Sequence, residues 1–144
     1  MRLDKLTIKL QEALQDAISF ATESGHQQVE PEHLFYTLLR QGDSIIASVL
    51  DKLGIPTFSI IKIIEEDLHK RPSVAGGNTQ VYFSGRMSGL FNNAQKEAQI
   101  LKDEFISAEH ILLALLSDED CVVTKEFKRL GIDKENILSV LSQI

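Results

Sequence analysis

The chain has 144 residues, a formal charge of −6 and a single cysteine, a length that holds one domain with a real core but not a catalytic domain plus a second module. No apolar run approaches the roughly 18–20 residues of a membrane span, and the acidic balance argues against a nucleic-acid backbone as the main partner. One cysteine excludes a disulfide framework or a zinc cluster, and Met1–Lys5 passes straight into mixed charged and apolar residues, so a cytoplasmic protein without a secretory signal is expected.

Between Thr7 and Ala21 the residues Leu10, Ala13, Leu14, Ala17, Ile18 and Ala21 recur at helical spacing, which predicts a first helix capped by Asp4 or Thr7 and ending near Gly25. Pro31 suits the first position of a second helix, through Leu34, Leu38 and Leu39, because its missing N–H would be unpaired there anyway. Gly42-Asp43 breaks and recaps the chain. Ile45, Ile46, Val49, Leu50 and Leu53 form a third stripe closed by Gly54, and Phe58, Ile60, Ile61, Ile64 and Leu68 form a fourth. Lys70–Gly85 lacks a helical period and carries Pro72, Gly76, Gly77, Asn78 and Gly85, so it reads as an exposed connector pinned at its end by Val81-Tyr82-Phe83. A short β pairing by Gln80–Phe83 is compatible with this but would not define the fold. Four further helices follow over Met87–Leu101, Ala108–Leu116, Val122–Leu130 and Glu135–Leu141, with Ser84, Ser107 and Asp133 as caps.

The second set of four repeats the first. A shift of 77 residues lays Gln11–Asp67 over Ser88–Ile144 without a gap, with 11 identities in 57 pairs. These few identities cluster where helices begin, pack and end: Glu32-His33 on Glu109-His110, Leu38-Leu39 on Leu115-Leu116, and Leu53-Gly54-Ile55 on Leu130-Gly131-Ile132. The expected architecture is one all-α domain over residues 1–144, made of two pseudo-repeats of four helices each. Repeat one covers about 4–69, the connector 70–85 and repeat two about 86–144. Neither set has enough apolar surface to stand alone, so the halves should share a core, and the seam between them is where a functional surface would lie.

Chemistry is sparse. No Walker loop occurs, because no glycine precedes a lysine in the required frame, and no Gly-x-Ser-x-Gly elbow is present. Glu30-Pro31-Glu32-His33 has the E-x-x-H spacing of di-iron bundles, but its counterpart is Ser107-Ala108-Glu109-His110, so the matched second motif is missing and no metal site is expected. Glu32 and Glu109 fit first helical turns, where negative charge favours the helix dipole, with His33 and His110 covering the helix start. Cys121 is expected to be a small buried hydrophobe. His26 and His69, at helix ends, are expected to face solvent, and Asn93 and Glu97 to keep the outer face of the fifth helix polar. Leu14 and Phe91, equivalent under the shift, lie beside the main stripes of the two long helices and are placed to line a shared groove.

Met1–Thr7, Glu30–Leu34, Gln80–Ser84 and Lys102–His110 together resemble the N-terminal domains of Clp ATPases, the ClpB-type disaggregase branch in particular, over essentially the whole chain. The resemblance implies a polypeptide-binding module that is itself not an enzyme, an excised domain or fragment whose parent carries two AAA+ modules, with their ATP and magnesium, and a coiled-coil middle domain. It further implies a hexameric parent acting with the DnaK chaperone system on unfolded or aggregated polypeptides, and an isolated domain that is monomeric, with neither nucleic acid nor membrane as partner. Clients would be held in a groove between the repeats. Matching residue by residue, the resemblance links Thr7, Asp103 and Glu109 to client handling, and the groove would draw on Leu14, Leu90, Phe91 and His110. The alternative it leaves open is an adaptor-docking N-domain of a protease-associated Clp ATPase.

Overall fold

The computed structural model describes residues 2–74 and 80–144; Gly76, Gly77 and Asn78 of the expected connector lie outside the described residues. After a 3₁₀ turn at Leu3–Lys5 come α1 (Ile8–Glu23), α2 (Pro31–Leu39), α3 (Ile45–Lys52) and α4 (Thr57–His69). Then follow α5 (Gly85–Ile100), α6 (Ala108–Leu115), α7 (Val122–Arg129) and α8 (Lys134–Leu141), so the all-α class and the eight helices in two sets of four are as expected.

Local chemistry sets the helix ends. Thr7 and Ser84, equivalent under the 77-residue shift, cap α1 and α5 by accepting the N–H of Leu10 and of Met87, each at 3.2 Å. Four helices end in the same motif, in which the chain turns through the left-handed region and two backbone N–H groups bond back to the last turn. The turning residues are Gly25, Gly54, Lys102 and Gly131, with φ of 75°, 77°, 60° and 74°. Gly25 and Lys102 are counterparts, as are Gly54 and Gly131. Recapping before α3 falls one residue later than expected: Asp43 makes the turn with φ 58°, and Ser44 is the cap.

The helices α2 and α6 are buried almost all round and form the centre. Packing of α1 on α2 is repeated by α5 on α6, and that of α4 on α7 by α8 on α3. The last two contacts cross between repeats. One core results, joining Leu10, Leu34, Leu38 and Ile64 to Met87, Ile111, Leu112 and Phe127, with each large side chain contributing about 1.5–3 kcal/mol of burial.

Backbone pairing also crosses between the halves. β1 (Gln28–Val29) runs parallel to β2 (Tyr82–Phe83), which is the short pairing that the connector sequence allowed. Its image is the parallel bridge of Leu6 with Ile106, where Thr7 N–H donates to Ile106 O at 3.0 Å and Ile106 N–H to Lys5 O at 2.8 Å. Each repeat's lead-in segment is thus held by the other repeat, which gives the shared core a physical cause beyond lack of apolar area.

Two surface expectations are corrected. His26 is buried, because the turn at Gly25 folds it back until Nδ1 lies 2.9 Å from His33 Nε2; His69 is exposed as expected. Glu97 is also buried rather than on a polar outer face, since α8 packs close enough for Lys134 Nζ to reach its carboxylate at 2.6 Å.

Candidate functional site

Two adjoining depressions lie on the seam. The first runs between α1 and α5, about 680 Å³ in volume, with Leu14 and Phe91 among its lining residues and Leu3, Ile18, Phe83 and Ile106 around them. Leu14 and Phe91 are 4% and 5% exposed, so they form its floor while also belonging to the core. Arg2 and Lys5 stand at its edge. Leu90, one residue from Phe91, points into the core and does not line the groove.

The second, about 730 Å³, opens where the start of α1 meets the start of α6 and is lined by Thr7, Ile8, Phe105 and Glu109, among others. Leu6 is common to both depressions, so the Leu6–Ile106 bridge is the partition between them. Ile8 is 73% exposed and Phe105 44%, two large apolar side chains left in water at the mouth of a pocket. Thr7 has its oxygen engaged in capping α1. Glu109, in the first turn of α6, is bonded by Ser107 Oγ.

A hydrogen-bond chain supports that rim. Ser107 N–H donates to His110 Nδ1 at 2.9 Å, so the proton of the neutral imidazole sits on Nε2, which donates to Asp103 Oδ2 at 2.8 Å. His110 is buried and lines neither depression; it positions the turn that carries Asp103 and the segment that carries Phe105 and Glu109. The expected residues thus separate. Thr7 and Glu109 share one pocket, Leu14 and Phe91 share the groove, Asp103 and His110 brace the rim, and Leu90 is core.

The counterpart of Glu109 has a different fate. Glu32 is fully buried beneath two arginines: Arg86 reaches it at 2.8 and 3.2 Å and Arg71 at 3.2 Å. Arg86 also meets Asp118 at 2.7 Å, and Arg71 meets Asp67 at 2.7 Å and Glu30 at 3.0 Å. Burial disfavours both guanidinium charges, but the paired carboxylates overcome it and hold both groups above the ordinary arginine range. The role expected for Glu32, a first-turn charge facing the helix dipole, is therefore incomplete; the acid is the hub of an ion cluster joining the repeats.

Among the described residues of this cluster, no nucleophile is paired with a free base. His33 has both nitrogens engaged, Nδ1 by the Glu30 N–H at 2.9 Å and Nε2 by His26. Burial, with the Glu32 charge, pushes the Cys121 thiol up to about 12, which leaves it protonated and inert. Among the described residues no group of three or more His, Cys, Asp or Glu is placed to hold a metal ion.

Phe105, Ile8 and the two arginines escaped the sequence reading. Their signal lay in the repeat comparison, where Phe105 stands against Gln28, Ile8 against Gly85 and Arg86 against Lys9. The first two are apolar residues in one repeat with no apolar counterpart in the other, as an exposed one-sided site requires.

A duplicated helical domain with two adjoining apolar depressions and no assembled catalytic set among its described residues is the class that these features define. The chain belongs to the Clp repeat (R) N-terminal domain family, which it matches over residues 5–141. It is similar to the chaperone protein ClpB of Clostridium tetani, with 34% identity over 147 residues covering 100% of this chain and 17% of that relative. The chain therefore spans about a sixth of the length of such relatives. Among solved structures, the N-domain of ClpV from Vibrio cholerae superimposes with a TM-score of 0.83 at 23% identity, covering 97% of this chain and 84% of that one. A ClpV N-domain in complex with a VipB peptide gives 0.75 at 23% identity, covering 95% and 89%. At these identities the two structures establish a shared fold.

Proposed function

We propose that this chain is the substrate-engaging N-terminal module of an ATP-dependent protein disaggregase, and that it binds exposed apolar segments of unfolded or aggregated polypeptides along the seam between its repeats. The observation that supports this reading is that the α1–α5 groove adjoins the Thr7–Glu109 pocket across Leu6, with Leu3, Ile8 and Phe105 left exposed around them. An extended segment crossing the partition at Leu6 would place alternate side chains in the two depressions. Family membership and similarity to ClpB support the parent assignment: a hexameric AAA+ ATPase of the cytoplasm, working with the DnaK system, whose ATP and magnesium sites lie in modules other than this one.

The expected binding is weak. Burying about 400 Å² of client apolar surface gives roughly 10 kcal/mol at ~25 cal/mol per Å², and association costs of about 4–15 kcal/mol offset most of it. Rapid capture and release by each domain follows, with several domains on one hexamer raising the effective affinity. Titration with a casein-like unfolded protein tests the reading, because it must perturb the amides around Thr7, Leu14, Phe91 and Glu109.

A second reading keeps the fold and makes the seam a docking site for one folded adaptor. The ClpV N-domain seen with a VipB peptide favours it, since a domain of this fold there holds a defined partner segment. It predicts stoichiometric binding to one partner and little response to unfolded protein.

A further inference from the structure

The lead-in segments of the two repeats pair alike on one edge and differ on the other. Leu6 and Phe83 are counterparts under the 77-residue shift, as are Leu3 and Gln80, and Gln11 and Ser88. On the inner edge, Thr7 N–H donates to Ile106 O and Lys5 O accepts from Ile106, while Tyr82 N–H donates to Gln27 O and Ser84 N–H to Val29 O. Successive amide groups of an extended chain point in opposite directions, so the N–H and C=O of Leu6 and of Phe83 are left for the outer edge. At Leu6 that edge is closed within the chain. The 3₁₀ turn brings Leu3 O to the Leu6 N–H at 3.1 Å, and Gln11 Nε2 donates to Leu6 O and to Leu3 O, each at 3.0 Å. At Phe83 neither closure is present. Gln80 and Val81 form no turn, and Ser88 is too short to reach back as Gln11 does. Among the described residues, neither the N–H nor the C=O of Phe83 has a hydrogen-bond partner.

This open edge borders the α1–α5 groove, which Phe83 and Ser88 both line. A strand edge with unpaired N–H and C=O groups is a template for another chain, and the floor beside it, Leu14 and Phe91, is apolar. The charged residues that line the groove are Arg2 and Lys5, with no carboxylate among its lining residues. We infer that the bound polypeptide is an extended segment that adds to β2 as a further strand. It exchanges main-chain hydrogen bonds with Phe83, lays alternate apolar side chains on the groove floor, and turns an acidic residue at one end toward Arg2 and Lys5. Main-chain pairing accepts many sequences, and the floor and the cationic edge then select among them. The inference rests on the polypeptide-binding reading above and adds how the segment is held.

The test uses the 144-residue chain and a blocked heptapeptide of glutamate followed by alternating leucine and threonine. It is compared with a form whose three central amide groups are replaced by esters, which keeps every side chain but removes the main-chain donors, and with a form in which glutamine replaces the glutamate. The parent peptide should bind about tenfold more tightly than the ester form and should slow hydrogen exchange of the Phe83 N–H by about tenfold at saturation. The glutamine form should bind more weakly than the parent, by a margin that shrinks as salt is raised. Ser88→Gln, at an exposed position, copies the closure that Gln11 provides and should remove the difference between amide and ester peptides. A casein-like unfolded protein should slow the Phe83 N–H as the parent peptide does. Equal affinity for amide and ester peptides would overturn the strand pairing alone, as would unchanged Phe83 exchange while the Leu14 and Phe91 amides shift. Equal affinity for the glutamate and glutamine peptides would overturn the acidic flank. Failure of every peptide and of unfolded protein to bind would instead overturn the function on which the inference rests.

Discussion

His110 donates from Nε2 to Asp103 across 2.8 Å, and the first repeat sets His33 against His26 at 2.9 Å in the same two places. In each repeat the helix-ending turn returns one residue to satisfy a buried imidazole, with a carboxylate in one copy and a second imidazole in the other. Asp103→Ala leaves the His110 Nε2–H buried without its partner. The variant should lose about 1 kcal/mol, the carboxylate being half exposed. Asp103→His, which reproduces the first repeat's solution, should lose less, and urea midpoints of the two variants decide the order.

The histidine pair gives the domain an acid limb. Burial, then the neighbouring His26 and Arg71 charges, lowers His33 from 6.5 to about 3. The unfolded chain takes up that proton near 6.5 and the folded chain refuses it until about 3. The stabilising contribution is therefore complete above 6.5 and is lost as pH falls through that interval, at up to about 1.4 kcal/mol per pH unit. His26 is lowered as well, chiefly by burial, and adds in the same direction. Urea unfolding across this range should show the slope, and His33→Asn should flatten part of it.

Glu32 and Glu109 should answer the same substitution differently. Glu32→Gln removes the buried carboxylate that two part-buried guanidinium groups share and should cost about 3 kcal/mol, whereas Glu109→Gln, partly exposed at a pocket, should change stability by under about 0.5 kcal/mol. Thermal or urea unfolding of the two variants reads the contrast directly.

Gly25 and Lys102 make the same left-handed turn with different residues. Lys102→Gly removes a side chain from a conformation that L-residues resist and should stabilise the domain by about 0.5–1 kcal/mol. Gly25→Ala should do the reverse by about 2 kcal/mol, because the added methyl would lie 2.9 Å from the Val74 carbonyl as well as on a left-handed backbone.

Helix positions and most caps were legible in the sequence because they depend on neighbours three or four residues away: Thr7, Ser84, Pro31 and Gly54 act within their own turn. Polar placement was less legible. His26, Glu32 and Glu97 look like surface residues in the linear pattern, and their partners His33, Arg86 and Lys134 are brought to them only by turns or by packing between helices. The groove floor at Leu14 and Phe91 could be placed from the repeat, whereas the exposed wall of Ile8 and Phe105 follows from the Leu6–Ile106 crossing, which no local signal announces.

The central claim is that the seam binds non-native polypeptide, and the most direct measurement is an amide chemical-shift titration of the 144-residue chain with an unfolded protein. The account predicts fast-exchange shifts concentrated at Thr7, Ile8, Leu14, Phe91, Phe105 and Glu109, weakened by Ile8→Ser. Shifts confined to a face away from these residues, or none at saturating unfolded protein, would contradict it.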